Sequence, residues 1–237
     1  MKKFIYLAFL IPLSVISITC VGQGEFLLKG TSGIGFAGDY TFNKNASGIG
    51  GQIAYSFRGI VDLQLGIAQL TFPDAGLNQP DKVRLISPGI AIHLLKQEEG
   101  LPISLRVHGS YGQYKYEGYI YSYNDETKFS SINVGLGIYH WLWLGGNASI
   151  VPSIDVIYTN AKLAYTTTVQ GSSFSQEDTY LTAIFSLPIV FESPKEDVIF
   201  LTPQIGYGNK MAAFGFSIGA VLAFRKKDKY WNDDDEW

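Results

Sequence analysis

Three histidines, His93, His108 and His140, and one cysteine, Cys20, are the residues of this chain best suited to nucleophilic or metal chemistry. A histidine becomes a general base when a carboxylate orients it and a hydroxyl stands beside it. No serine or carboxylate lies at a spacing that marks such a group, although triads assemble in space rather than in sequence. A carboxylate or serine within hydrogen-bond reach of a histidine is therefore the feature that would speak for an enzyme. Scattered histidines and a lone cysteine give no metal-ligand spacing, so no metal, cofactor or catalytic residue is expected. The run GIGFAG, Gly33 to Gly38, fits the dinucleotide template G-x-G-x-x-G, but that template needs a helix directly after it. The next residues, DYTFNKNASGIGGQIAYSF, read as a β-hairpin instead. The tripeptides NAS at 45–47 and 147–149 match glycosylation acceptors by composition alone and are assigned no role.

The charged residues carry more information. On a period of two, Arg58, Asp62, Arg106 and Asp155 fall on an inward face near one end of their segments, with Gln64 and His108. Burying any one of these charges alone would be costly, so pairing is expected. Such a layer has two uses: an ion-paired plug, or the lining of a narrow solute path whose charges set selectivity.

The elements that position these residues are β-strands. In AAFGFSIGAVLAF, alternate residues give Phe214, Phe216, Ile218, Ala220, Leu222 and Phe224 against Ala213, Gly215, Ser217, Gly219, Val221 and Ala223. A soluble sheet would turn Lys, Glu or Thr away from its core. Here one face is bulky and apolar and the other is nearly empty, which suits a crowded interior and an apolar exterior. The chain divides into about ten such segments: 25–43, 48–58, 60–72, 82–96, 102–121, 128–143, 148–169, 178–192, 197–208 and 212–225. No segment carries a 3.6-residue period of helical length. Alternate connections are short (Gly59, QEEGLP, LGGN, SPKED), and the others are on average longer and more polar (NKNA, PDAGLNQPD, SYNDETK, GSSFSQED, GNKM). Short turns on one rim, longer loops on the other and an even strand number match an outer-membrane barrel. The expectation is an all-β fold, a closed antiparallel transmembrane β-barrel of about ten strands, with eight the rival number. Its inner wall would carry glycines such as Gly33, Gly66, Gly135 and Gly137, leaving room for side chains that fill the lumen.

Composition agrees. Charged residues make up 16% of the 237 and aromatics 14%, with 26 glycines, and the net charge is −3. A charge-poor, slightly acidic chain without a basic stripe excludes a nucleic-acid partner. Residues 1–22 read as a secretory signal peptide: Lys2 and Lys3, then an apolar run, then small residues. Ser17-Ile18-Thr19 before Cys20 fits a lipidation signal poorly, and a single cysteine permits no internal disulfide. Residues 23–225 form the barrel and 226–237 a charged tail.

On these patterns, over about residues 25–225, the chain resembles the small bacterial outer-membrane β-barrels, the broad porin-like and OmpA-like group. The resemblance implies an outer-membrane location with both termini periplasmic. It also implies outer-membrane lipid and the barrel-assembly machinery as partners. In that group the last strand usually ends on an aromatic residue read by that machinery; Phe224 fits, although a tail follows it here. The stretch SYGQYKYEGYIYSYNDETK outruns the roughly 9–11 residues that cross a membrane, so the fifth to eighth strands should project beyond the lipid. Its Tyr114, Tyr116, Tyr119 and Tyr121 are the expected outer-rim surface for an extracellular ligand or envelope protein. The expected function is a non-catalytic scaffold or surface-interaction protein. A narrow porin-like channel for small solutes or ions is the alternative, and a barrel enzyme a distant third.

Overall fold

The computed structural model describes residues 23–72, 82–97, 100–117, 126–166, 173–194 and 197–224. The expected signal peptide and the charged tail lie outside them. The strands are β1 (Ser32–Phe42), β2 (Ser47–Phe57), β3 (Val61–Thr71), β4 (Lys82–Leu95), β5 (Ser104–Glu117), β6 (Glu126–Tyr139), β7 (Leu142–Gly145), β8 (Ala148–Ile150), β9 (Ser153–Thr166), β10 (Ser173–Ser186), β11 (Ile189–Glu192), β12 (Val198–Gly208) and β13 (Met211–Phe224). Each long strand pairs antiparallel with its predecessor. The β1–β13 ladder (Ser32↔Phe224) and the β10–β12 ladder (Ser186↔Gln204) close the ring at ten strands. Closure is what apolar surroundings demand, since an open edge would leave unpaired N–H and C=O groups.

Three short strands lie outside the ring. Leu142↔Ile150 continues the register of Tyr139↔Ser153, and Ile189↔Leu201 continues that of Ser186↔Gln204. These strands, β7, β8 and β11, thus extend the wall past the rim that carries the ends of the ring, the terminal rim. The strands are interrupted at Val151–Pro152 and Leu187–Pro188, where proline has no N–H to give a ladder. Part of the excess length of segment 148–169 therefore lies at the terminal rim, not at the opposite, far rim.

Alternation places the side chains as expected. Phe214, Phe216, Ile218, Leu222 and Phe224 face outward and are about half exposed, while Ala213, Ser217 and Val221 are buried in the wall's inner face. The other strands repeat the pattern with Ile53, Leu63, Leu65, Ile90, Leu136 and Val156 outward. The interior is layered. Toward the far rim Leu70, Phe72, Val83, Leu85, Tyr114, Phe129 and Leu163 form an apolar cluster. Toward the terminal rim a second cluster joins Phe26, Leu27, Tyr139, Val151, Val190, Val198, Phe200 and Val221. Polar side chains, among them Gln52, Gln64, Ser131, Thr159 and Thr182, are buried as well.

Two strand boundaries depart clearly from expectation: β10 begins at Ser173, five residues before the expected 178, so most of GSSFSQED is strand and not loop. The first segment does not begin at residue 25: Gln23–Phe26 is a single 3-10 turn, and β1 starts at Ser32. Gly30, at φ 97°, reverses the chain between the two, a conformation glycine adopts at no steric cost.

Candidate functional site

Of the four residues expected to form an inward charge layer, Asp62 on β3, Arg106 on β5 and Asp155 on β9 are buried on the inner face, and Arg106 and Asp155 pair there. Arg106 and Asp155 form a fork-to-fork pair, Nε donating to Oδ1 at 3.1 Å and Nη2 to Oδ2 at 2.6 Å. Both are buried, as are Asp62, Gln64 and His108. His108 Nε2 stands 3.3 Å from Asp155 Oδ1. Two planar donors against two acceptor oxygens is the strongest geometry open to an ion pair.

Arg58 does not belong to the layer. The chain turns through Arg58 and Gly59, both at positive φ (54° and 61°), with Ile60 N–H donating to Phe57 C=O at 3.0 Å. Alternation therefore ends at Phe57, and the exposed Arg58 guanidinium lies 5.5 Å from the Phe57 ring. This two-residue mirror-image turn suits the right-handed twist of its strands.

The layer's remaining members come from residues the alternation argument passed over. Glu25, on the 3-10 turn, is fully buried and receives a hydrogen bond from Arg106 Nη1. Burial pushes its carboxyl up to about 7, against the opposing pull of Arg106. The Gly24 N–H donates to Asp62 Oδ2 at 2.9 Å, and Lys96 Nζ donates to the carbonyls of Gly24, at 3.0 Å, and Leu27. Trp141 Nε1 donates to the Glu25 carbonyl at 3.0 Å, and Phe26 stacks on Phe200 with ring centroids 4.7 Å apart. Residues 24–27 thus dock inside the terminal end of the lumen as a plug, held by charge on one side and aromatic packing on the other. One sequence signal for this was present: EFLLKG sets an acid, an apolar trio and a turn residue just before the first strand.

One histidine, His93, meets the distance criterion set for an enzyme, in a closed setting. Asp62 Oδ2 lies 3.0 Å from His93 Nε2, and His93 Nδ1 lies 2.9 Å from the Tyr139 hydroxyl. Asp62 is 0% and His93 3% exposed, and the plug covers them. A cavity of about 330 Å³ beside the plug reaches Glu25 and Tyr139 but is not lined by Asp62 or any histidine. The Asp–His–Tyr chain therefore satisfies buried polar groups and orders the inner wall. His140, beyond β6, donates from Nδ1 to the Pro102 carbonyl at 2.7 Å. Among the described residues no group of acids, histidines and cysteines could hold a metal ion.

The tyrosines expected at an outer surface separate. Tyr114 faces inward, buried with its ring centroid 4.4 Å from that of Phe129 and its hydroxyl 3.4 Å from Ser131 Oγ. It belongs to the far-rim packing and offers no binding surface. Tyr116 is on β5, its side chain outside the described ones, and Tyr119 and Tyr121 lie outside the described residues. At the described far ends, outward Gln113, Lys115, Lys128, Ser130, Asn160, Lys162 and Thr179 follow the apolar residues on β5, β6, β9 and β10.

No protein-family model and no curated protein matches the sequence. Solved structures do. The chain is similar to the β domain of the Bordetella autotransporter BrkA, with a TM-score of 0.55 at 13% identity over 83% of this chain and 100% of that one. It is also similar to the translocator domain of the autotransporter NalP from Neisseria meningitidis, with a TM-score of 0.52 at 14% identity over 93% and 97%. Ail of Yersinia pestis aligns over 83% of this chain at 13% identity with a TM-score of 0.38. By its fold, a closed antiparallel ring with an apolar exterior, the chain is a β-barrel of the bacterial outer-membrane kind.

Proposed function

We propose that this chain is an integral outer-membrane barrel, both termini periplasmic, that acts without catalysis as a scaffold or surface-interaction protein. Its outward face of Phe, Ile, Leu and Val supports residence in lipid. The observation that carries the scaffold reading is the occupied lumen: residues 24–27 fill one end and the Leu70–Phe129 cluster the other. Lipid surrounds the wall, the barrel-assembly machinery inserts it, and the far-rim loops face an extracellular ligand or envelope protein. No histidine of the inner wall is open to a substrate, so the enzyme reading has no support in the site.

A narrow channel is the second reading, favoured by the buried charges and polar side chains of the interior. Single-channel recording of refolded mature protein in a planar bilayer, beside Arg106→Ala, separates the two. The scaffold reading expects silence from the folded wild-type barrel. Steady wild-type conductance, altered by Arg106→Ala, would replace it with the channel. Recovery of the mature protein from the soluble periplasmic fraction would overturn the membrane assignment itself.

A further inference from the structure

The outer wall carries a second feature, independent of the lumen. Over β2 to β6 the outward residues are aliphatic or aromatic up to Ile49, Ile67, Ile86 and Tyr111, and then change within one alternation to Gln69, Arg84, Gln113 and Lys115. A groove of about 1280 Å³ lies across this boundary, its apolar part lined by Ile49, Ile67, Ile86 and Tyr111 and its polar part by Arg84, Lys115 and Lys128. Among the described residues no carboxylate lines it. Arg84 and Lys115 are direct cross-strand partners, exposed on the same face. An anion set between two such cations is attracted by both. Arg84 and Lys128 also make contacts within the protein, but guanidinium and ammonium groups carry more donors than one partner uses.

We infer that this groove binds a phosphorylated lipid, its phosphate held by Arg84, Lys115 and Lys128 and its acyl chain lying on Ile49, Ile67 and Ile86. Charge complementarity selects an anionic head, and the adjoining apolar floor selects a lipid over a soluble anion. The position agrees: a cation at the end of an apolar band sits at headgroup depth. The inference rests on the wall facing lipid, as proposed above, and on nothing in the lumen.

The test is native mass spectrometry of the refolded protein released from neutral-detergent micelles containing dioleoyl phosphatidic acid or dioleoyl phosphatidylcholine. The wild type should retain phosphatidic acid in preference, and added salt should weaken that preference. The triple variant Arg84→Gln, Lys115→Gln, Lys128→Gln should lower retained phosphatidic acid by about tenfold or more, leaving phosphatidylcholine unchanged. Ile86→Ser should lower retention of both lipids. Equal wild-type retention of the two lipids overturns the inference, a result that needs no variant to fold. Complete displacement of phosphatidic acid by inorganic phosphate would also overturn it, leaving only an anion site. Failure of the wild type to enter any micelle or vesicle would sink the membrane reading instead.

Discussion

Arg106 and Asp155 pair across a strand that lies between them. Gly137 of β6 is the register partner of Arg106 on one side and of Asp155 on the other, so the three stand in one row across the sheet. Its missing side chain is what lets guanidinium and carboxylate meet, since a Cβ there would run into both. Gly137→Ala should destabilise the folded barrel by about 3 kcal/mol, because it parts a buried pair and leaves two charges short of partners. The check is the urea midpoint of the refolded protein in vesicles. An unchanged midpoint would mean that the pair can be separated at no cost.

Docking of the plug should depend on pH through Glu25. Its carboxyl titrates near 7 when docked, against an ordinary 4.5. Between those values the docked form keeps a proton that the undocked form has lost, so docking is strongest below the lower value. It weakens as pH rises through the window and is level above the higher one, a total of about 3 kcal/mol. Protection of the Gly24 amide against hydrogen exchange, corrected for intrinsic rate, should fall from pH 5 to pH 8 in the wild type. Glu25→Gln should remove that slope, and a slope that survived would refute the assignment.

Phe26→Ala should loosen the plug without opening the ring. Losing the stack on Phe200 costs about 3 kcal/mol, yet none of the ladders that close the barrel involves residue 26. The Gly24 amide should exchange faster in the variant while the amides of β13 keep their protection. Equal acceleration in both places would show that plug and ring unfold as one unit.

The height of the apolar band can be tested by moving one charge. Ile218→Arg places a cation on the outward face of β13 and should destabilise the membrane-inserted barrel by about 2–4 kcal/mol. Thr179→Arg, outward on β10 beside the exposed Lys162–Glu177 pair, should change it by about 1 kcal/mol or less. Folding free energies measured in phospholipid vesicles would compare them, and similar costs at both positions would mean that the band is misplaced.

Much of the ring was legible because its two faces differ so sharply in size. Phe214 to Phe224 against Ala213 to Ala223 gives the strand, its register parity and its outward side at once. The same parity put Asp62, Arg106 and Asp155 inside. It failed at Arg58, where a left-handed turn ends the alternation without a change in residue type. At Tyr114 parity held and composition misled: residue 114 faces inward with its parity, although the local richness in tyrosine suggests an outer surface. The partners of Glu25 and Lys96 and the His93–Tyr139 contact were beyond reach, because each depends on which strands the closed ring brings together across its lumen. Glu25 and Arg106 are 81 positions apart, and only closure makes them neighbours.

That separation gives the plug a place in the order of folding. Its residues hold partners on β3 and β5 and at Lys96 just beyond β4, stack on β12, and take a donor from Trp141 just beyond β6. The first part of the described chain to be synthesised is thus among the last to find its contacts, since its receptor does not exist until the strands have assembled. Contacts of such long range contribute nothing to a partly zipped sheet and everything to a completed one. The plug rewards completion alone, and in doing so widens the gap between the finished barrel and every half-built intermediate.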